Sequence, residues 1–154
     1  MSRDEAGVAT FVERFGLLLT EAGMPRMPAR VFAALLSSES GKGTAAQLAT
    51  MLRVSPAAIS GAVRYLDQVG LIVKARDPGE RRDHYEVEDD LWFEMYGNRD
   101  KQLRSWLGVL ADGVAAVGDG TRAGERLDQT RRFMEFLIKE MGGLMERWRA
   151  QERG

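Results

Sequence analysis

The chain has no cysteine and a single histidine, His84, among its 154 residues. The first absence excludes disulfides, thiolate nucleophiles and thiol-based redox sensing. The second excludes metal sites built from several histidines and leaves a histidine-dependent triad one residue to draw on. An excess of charge of one sign is also missing, since 22 basic residues face 23 acidic ones and the formal net charge is -1. A protein that held nucleic acid through a uniformly basic surface would carry a strong positive balance. Any such role must therefore rest on a local arrangement of arginines. No apolar run approaches the roughly 18 residues of a membrane span. The opening MSRDEAGVATF lacks the basic-then-apolar order of a secretory signal. The expectation is a cytoplasmic protein with no membrane partner.

Enzymatic signatures are equally scarce. There is no phosphate-binding glycine loop, dinucleotide fingerprint or metal-ligand spacing. His84 sits between Asp83 and Tyr85 on an expected strand, where a lone histidine is ordinarily solvated or hydrogen-bonded. No catalytic residue, metal ligand or cofactor is assigned, and the chain is read as a non-enzyme.

What the chain does have is helical periodicity. With 44% hydrophobic residues it supports a real core. Residues 3 to 23 read as a helix, with Ser2 and Glu5 at capping-box spacing and Val8, Phe11, Phe15, Leu18 and Ala22 along one stripe. Gly23, Pro25 and Pro28 break it. A second helix is expected over 28 to 38, followed by the loop Ser38-Glu39-Ser40-Gly41-Lys42-Gly43. A third, over 45 to 52, opens with the capping box Thr44 and Gln47, and Arg53-Val54 makes a short turn. Ser55 then caps a fourth helix with Pro56 at its first position, where the missing N–H costs nothing.

After Gly70 the pattern changes to alternation, over 71 to 76 and again over His84-Tyr85-Glu86-Val87, around the turn signal Asp77-Pro78-Gly79-Glu80. That is a hairpin. Two long helices finish the chain, about 90 to 117 and 121 to 150, with Gly97-Asn98 a candidate bend in the first. The last carries Leu127, Met134, Leu137, Met141, Leu144 and Trp148 at spacings of three, four or seven, a seam suited to another helix.

Two short helices joined by a tight turn suggest a helix-turn-helix. On the second of them Ile59, Ala62, Val63, Leu66 and Gly70 share one side, which must be buried. Ala57, Ser60, Gly61, Arg64 and Gln68 fall opposite. Mid-helix Gly61 costs about 1 kcal/mol relative to alanine, so it needs a reason. One reason is close packing on a neighbouring helix. The other is that a small-residue face sits deep in a DNA groove, with Arg64 able to reach guanine and Gln68 adenine. The angular position favours the second. The hairpin loop adds Arg81 and Arg82, whose type suits a narrow, electronegative minor groove. Arg26 and Arg30, with Thr44 and Ser55 at helix starts, complete the candidate DNA-binding set as phosphate contacts.

In this order of elements, the segments GMPRMPARVFAALL and TAAQLATMLRVSPAAISGAVRYLDQVGLI, with the wing YLDQVGLIVKARDPGERRDHYEV, make the chain resemble the MarR family of winged-helix transcription regulators, and its GbsR-like branch in particular. The resemblance implies a mainly α fold with a small β-hairpin. A winged helix-turn-helix lobe over 25–89 would join a helical dimerisation lobe made of 1–24 and 90–154. It implies a homodimer that binds an inverted repeat on double-stranded DNA, acts as a repressor, and is released by a small lipophilic effector. In the family's wing motif an aspartate usually stands where this chain has Glu80.

The expected dimer interface comprises Val8, Phe11, Phe15, Met134, Leu137, Met141, Leu144 and Trp148, because stripes so long and apolar ask for a partner. The expected effector pocket draws on Phe15, Leu18, Leu19, Met24, Met27, Trp92, Phe93 and Tyr96, aromatics and methionines suited to an adaptable apolar lining. A winged helix that binds protein without DNA is the alternative. It would place apolar or acidic groups on the free face that carries Arg64 and Gln68.

Overall fold

A computed structural model describes residues 2–154. Its elements run α1 (Glu5–Glu21), α2 (Arg26–Leu36), β1 (Lys42–Thr44), α3 (Ala45–Leu52), α4 (Pro56–Gln68), β2 (Val73–Ala75), β3 (His84–Glu86), α5 (Leu91–Val117) and α6 (Arg122–Arg153). The chain divides into two compact units, one ending at Leu91 and one running from Trp92 to Gly154.

In the first unit each helix start has a chemical cause. Asp4 caps α1 by accepting from the Gly7 amide at 3.0 Å. The expected box of Ser2 and Glu5 does not form, and α1 begins two residues later than the spacing suggested, because the nearer carboxylate takes the orphan amide. The Thr44–Gln47 box forms in both directions, at 3.2 and 2.9 Å. Ser55 accepts from the Ala58 amide at 3.2 Å, with Pro56 in the first turn of α4. Between α3 and α4, Arg53 takes the left-handed conformation at φ 56, which turns the chain sharply enough to start the second helix of the pair.

The core of this unit centres on α2. Val31, Phe32, Leu35, Leu48, Ile59 and Leu66 are its largest fully buried side chains. α2 packs against α1, α3 and α4, which holds α4 in place on the unit's surface. Gly16 is buried at the α1–α2 crossing, where a β-carbon would meet the side chain and backbone of Arg30. α1 packs on α2 within the first unit.

The sheet has three strands in the order β1-β3-β2, all antiparallel. Lys42, Gly43 and Thr44 pair with Glu86, Tyr85 and His84, and Val73, Lys74 and Ala75 pair with the same three residues from the other side. The hairpin was expected. The third strand, β1, lies in what the sequence suggested was loop, and it ties the hairpin to the start of α3. The hairpin turn closes with the Glu80 amide donating to the Asp77 carbonyl at 3.0 Å, and Gly79 supplies the left-handed residue at φ +83.

The second unit is a helical hairpin. α5 is continuous through Gly97-Asn98. Thr121 caps α6 by accepting from the Gly124 amide at 3.0 Å. At the corner, Gly124 lies so close to the Gly118 carbonyl that a β-carbon there would collide with it. Along the pair, Leu127 approaches Gly113. The Tyr96 hydroxyl donates to the Ile138 carbonyl at 3.4 Å, and Arg149 lies over the Phe93 ring at 4.1 Å. Among the described residues no helix is long and apolar enough to cross a membrane.

Candidate nucleic-acid interface

α4 has two sharply different faces. Ile59, Ala62, Val63 and Leu66 are buried. Ala57, Ser60, Gly61, Arg64 and Gln68 are exposed, and so is Asp67. A β-carbon on Gly61 would meet nothing within 4 Å. Close packing on a neighbouring helix is therefore not what this glycine is for. The bare patch is open surface, with a guanidinium one turn further along and a carboxamide one turn beyond that.

The helix starts beside it bring further donors. Ser55 uses its hydroxyl oxygen as the acceptor of the cap, which leaves the hydroxyl proton to donate outward. Thr44 is arranged in the same way at the start of α3. Arg26 opens α2 and is exposed. Arg30 is placed differently from the expectation of a phosphate contact. Its guanidinium meets Glu13 at 2.8 and 3.1 Å and donates to the Leu52 carbonyl at 3.2 Å, with its side chain only 17% exposed. It joins α1 to α2 and to the end of α3.

The wing sorts its charges. Arg76 is held by Asp83 at 2.9 and 3.0 Å, and Lys74 by the same carboxylate at 3.4 Å. The Arg76 guanidinium, aided by Lys74, holds the Asp83 carboxyl below the usual aspartate range. Asp77 faces Lys42 at 3.7 Å and His84 Nδ1 at 3.8 Å, while His84 Nε2 meets Glu86 at 3.1 Å. His84 is buried among these groups at the root of the wing, a hydrogen-bonded strand residue as its sequence position suggested. Arg81 and Arg82 are exposed, and neither has an intramolecular partner among the described residues.

The residues expected to line an effector pocket fall in different units. In the first, Phe15 stacks on Phe11 with ring centroids 5.4 Å apart. Leu19, Met24 and Met27 are half-buried, and Leu18 is exposed. In the second, Trp92 is exposed, Phe93 lies under Arg149, and the Tyr96 hydroxyl donates to Asp100 at 3.2 Å.

Of the expected interface residues, Phe11, Leu144 and Trp148 are exposed, while Val8, Phe15, Met134, Leu137 and Met141 are half-buried. The most exposed apolar side chains of the second unit are ones that heptad counting passed over: Val109 at 72%, Phe136 at 61% and Phe133 at 56%, with Trp106 also exposed. A helical wheel of α6 set against the position of α5 would have found Phe133 and Phe136.

Two family models match the chain. One, described as MarR family, matches residues 22–83. The other, described as MmpR5-like MarR family transcriptional regulator, matches residues 90–151. The chain is 26% identical over 147 residues to the HTH-type transcriptional regulator MmpR5 of Mycobacterium tuberculosis, an alignment covering 94% of this chain and 88% of that protein. A crystal structure of a transcriptional regulator superposes with a TM-score of 0.83 at 22% identity, over 94% of this chain and 99% of that one, and so shares its fold. The helix-turn-helix and wing thus match one MarR-family model, and the long helical hairpin matches another.

Proposed function

We propose that this chain binds double-stranded DNA sequence-specifically, as a homodimer on an inverted repeat, and represses transcription there. The observation that carries the proposal is the free face of α4. A glycine with open space over it is followed on the same surface by Arg64 and Gln68. That is the composition a helix needs to enter a major groove and read base edges. The unpartnered Arg81 and Arg82 of the wing supply minor-groove or phosphate contacts, and Arg26, Thr44 and Ser55 supply phosphate contacts. Arg30 is left out of this set because its hydrogen bonds are made inside the fold.

The dimer is part of the same proposal. Phe133, Phe136, Val109 and Trp106 are exposed apolar side chains of the second unit, and a second copy of the chain is the occupant that would cover them. Placement on the GbsR-like branch rests on the segments 23–36 and 55–82. Release by a small lipophilic ligand completes the reading. Such a ligand must prefer the DNA-incompetent state, so ligand and DNA would weaken each other's binding by the same factor.

The test begins with a preferred 30-bp duplex, selected from a random pool with the purified protein. Arg64→Ala should weaken binding to this duplex by about 1–3 kcal/mol and leave thermal stability unchanged. Replacing Arg81 and Arg82 with alanine should flatten the plot of log affinity against log salt by about 0.9 for each phosphate that is no longer neutralised. A protein that selects no sequence and shows no salt-dependent DNA affinity would overturn the proposal.

A further inference from the structure

The wing carries four cations, Lys74, Arg76, Arg81 and Arg82, and one carboxylate deals with two of them. Asp83 Oδ1 accepts from Arg76 Nε at 3.0 Å and has Arg76 Nη2 beside it at 2.9 Å, while Oδ2 faces Lys74 Nζ at 3.4 Å, and the Asp83 side chain is 27% exposed. Asp77 meanwhile faces Lys42 and His84 across the strands. Only the two arginines at the loop are left without an internal partner among the described residues. Building on the DNA-binding reading above, we infer that Asp83 is a specificity-determining positioning residue. It withholds Lys74 and Arg76 from phosphate, so that the wing's attraction for DNA comes from Arg81 and Arg82 alone.

The physical consequence follows from what cations do on DNA. Each one that neutralises a phosphate adds affinity for any sequence, through release of condensed counterions. Such affinity does not distinguish an operator from the rest of a genome, and specificity is the ratio of the two. A wing with four free cations would grip every duplex. A wing with two clamped and two free grips less and leaves a larger share of the discrimination to α4. The Arg76 hydrogen bond is charge-assisted, which makes it stronger than one between neutral groups. The protein's near-neutral total charge agrees with this economy of free cations.

The experiment compares Asp83→Asn with wild type in the full-length protein. It uses the selected 30-bp duplex and a shuffled duplex of the same composition, between 50 and 300 mM potassium chloride. Asp83→Asn should bind the shuffled duplex several-fold more tightly at low salt. Its salt plot should be steeper by roughly 0.9 for each cation released, and the ratio of selected to shuffled affinity should fall. Adding Arg76→Ala should restore most of the wild-type slope, and Asp83→Glu should keep it.

Glu80→Gln removes one negative charge from the same loop without freeing a clamped cation. It should change the slope by less than Asp83→Asn does, and equal effects would overturn the clamp in favour of a simple charge effect. A wild-type slope in Asp83→Asn would also overturn it. If that variant does not fold, Arg76→Ala decides, with Asp83 still paired to Lys74. Removal of an already occupied cation should leave the wild-type slope nearly unchanged, and a drop of about one unit would sink the clamp. If the wild type itself shows no affinity for either duplex, the DNA-binding reading falls, and this inference falls with it.

Discussion

At the scale of single residues, Gly61 gives the sharpest test because its two possible roles predict opposite things. If it were a packing glycine, alanine there would clash. The space above it is open, so Gly61→Ala should raise stability by about 0.5–1 kcal/mol through helix propensity, read as a higher melting temperature. Gly61→Leu should fold equally well yet lose DNA affinity, since a branched side chain would hold the helix out of a groove. A Leu variant that binds the selected duplex as wild type does would remove this face from the site. The sequence made Gly61 legible because an angular argument needs only the period of the helix. Arg30 was not legible in the same way. Its partners Glu13 and the Leu52 carbonyl lie 17 and 22 residues away, and an arginine near a helix start reads the same whether it faces phosphate or the protein's own carbonyls.

At the scale of elements, what could be read was what is local. The starts of α3 and α4 follow from three-residue capping patterns that form as the spacing indicates. β1 escaped because it is three residues long, contains a glycine, and exists only through pairing with β3, whose residues lie 40 to 44 positions later. Strand propensity carries little weight against such pairing. The outward side of α6 escaped for a related reason. Apolar residues at heptad spacing identify a seam, but not which of two adjacent seams the neighbouring helix covers.

α6 also holds a short staple. Asp128 accepts from Arg131 and Arg132 between 2.8 and 3.1 Å, and Arg131 reaches on to Glu135 at 2.7 Å. Hydrogen bonds from Arg131, then Arg132, hold the Asp128 carboxyl below the usual aspartate range. A carboxylate whose folded pKa is depressed contributes stability above its unfolded value, and that contribution is lost as pH falls through the folded value. Asp128→Asn should therefore melt below wild type at neutral pH, with the gap narrowing as pH falls from the ordinary aspartate range near 3.9 through the lowered folded value. A gap that closes by pH 5 would contradict the staple.

At the scale of the whole molecule, two compact units of unlike construction share one chain. The first has its largest buried side chains around α2, and both units leave large apolar side chains exposed, among them Leu17 and Leu18 on α1 and Val109, Phe133 and Phe136 in the second unit. Apolar area is stabilising when removed from water, at about 25 cal/mol per Å², and a second copy is the occupant we propose. Sedimentation of the purified protein should give a dimer at micromolar concentration. Val109→Glu combined with Phe136→Glu should give a folded monomer with weaker DNA binding, because half-sites in an inverted repeat must be engaged together. A wild-type monomer, or a double variant that remains dimeric, would contradict the assignment.

The glycine corner between α5 and α6 has a mechanical meaning at this scale. α5 has 27 residues, so it is a rod about 40 Å long. Gly124 lets the two rods meet with backbone against the Gly118 carbonyl and nothing between them. A side chain there would act as a wedge at the fulcrum. An opening of roughly 5° would swing the far end of such a rod by about 3.5 Å, more than half the rise of a helical turn. One missing methyl group at the corner thus sets the gauge of the hairpin at its opposite end.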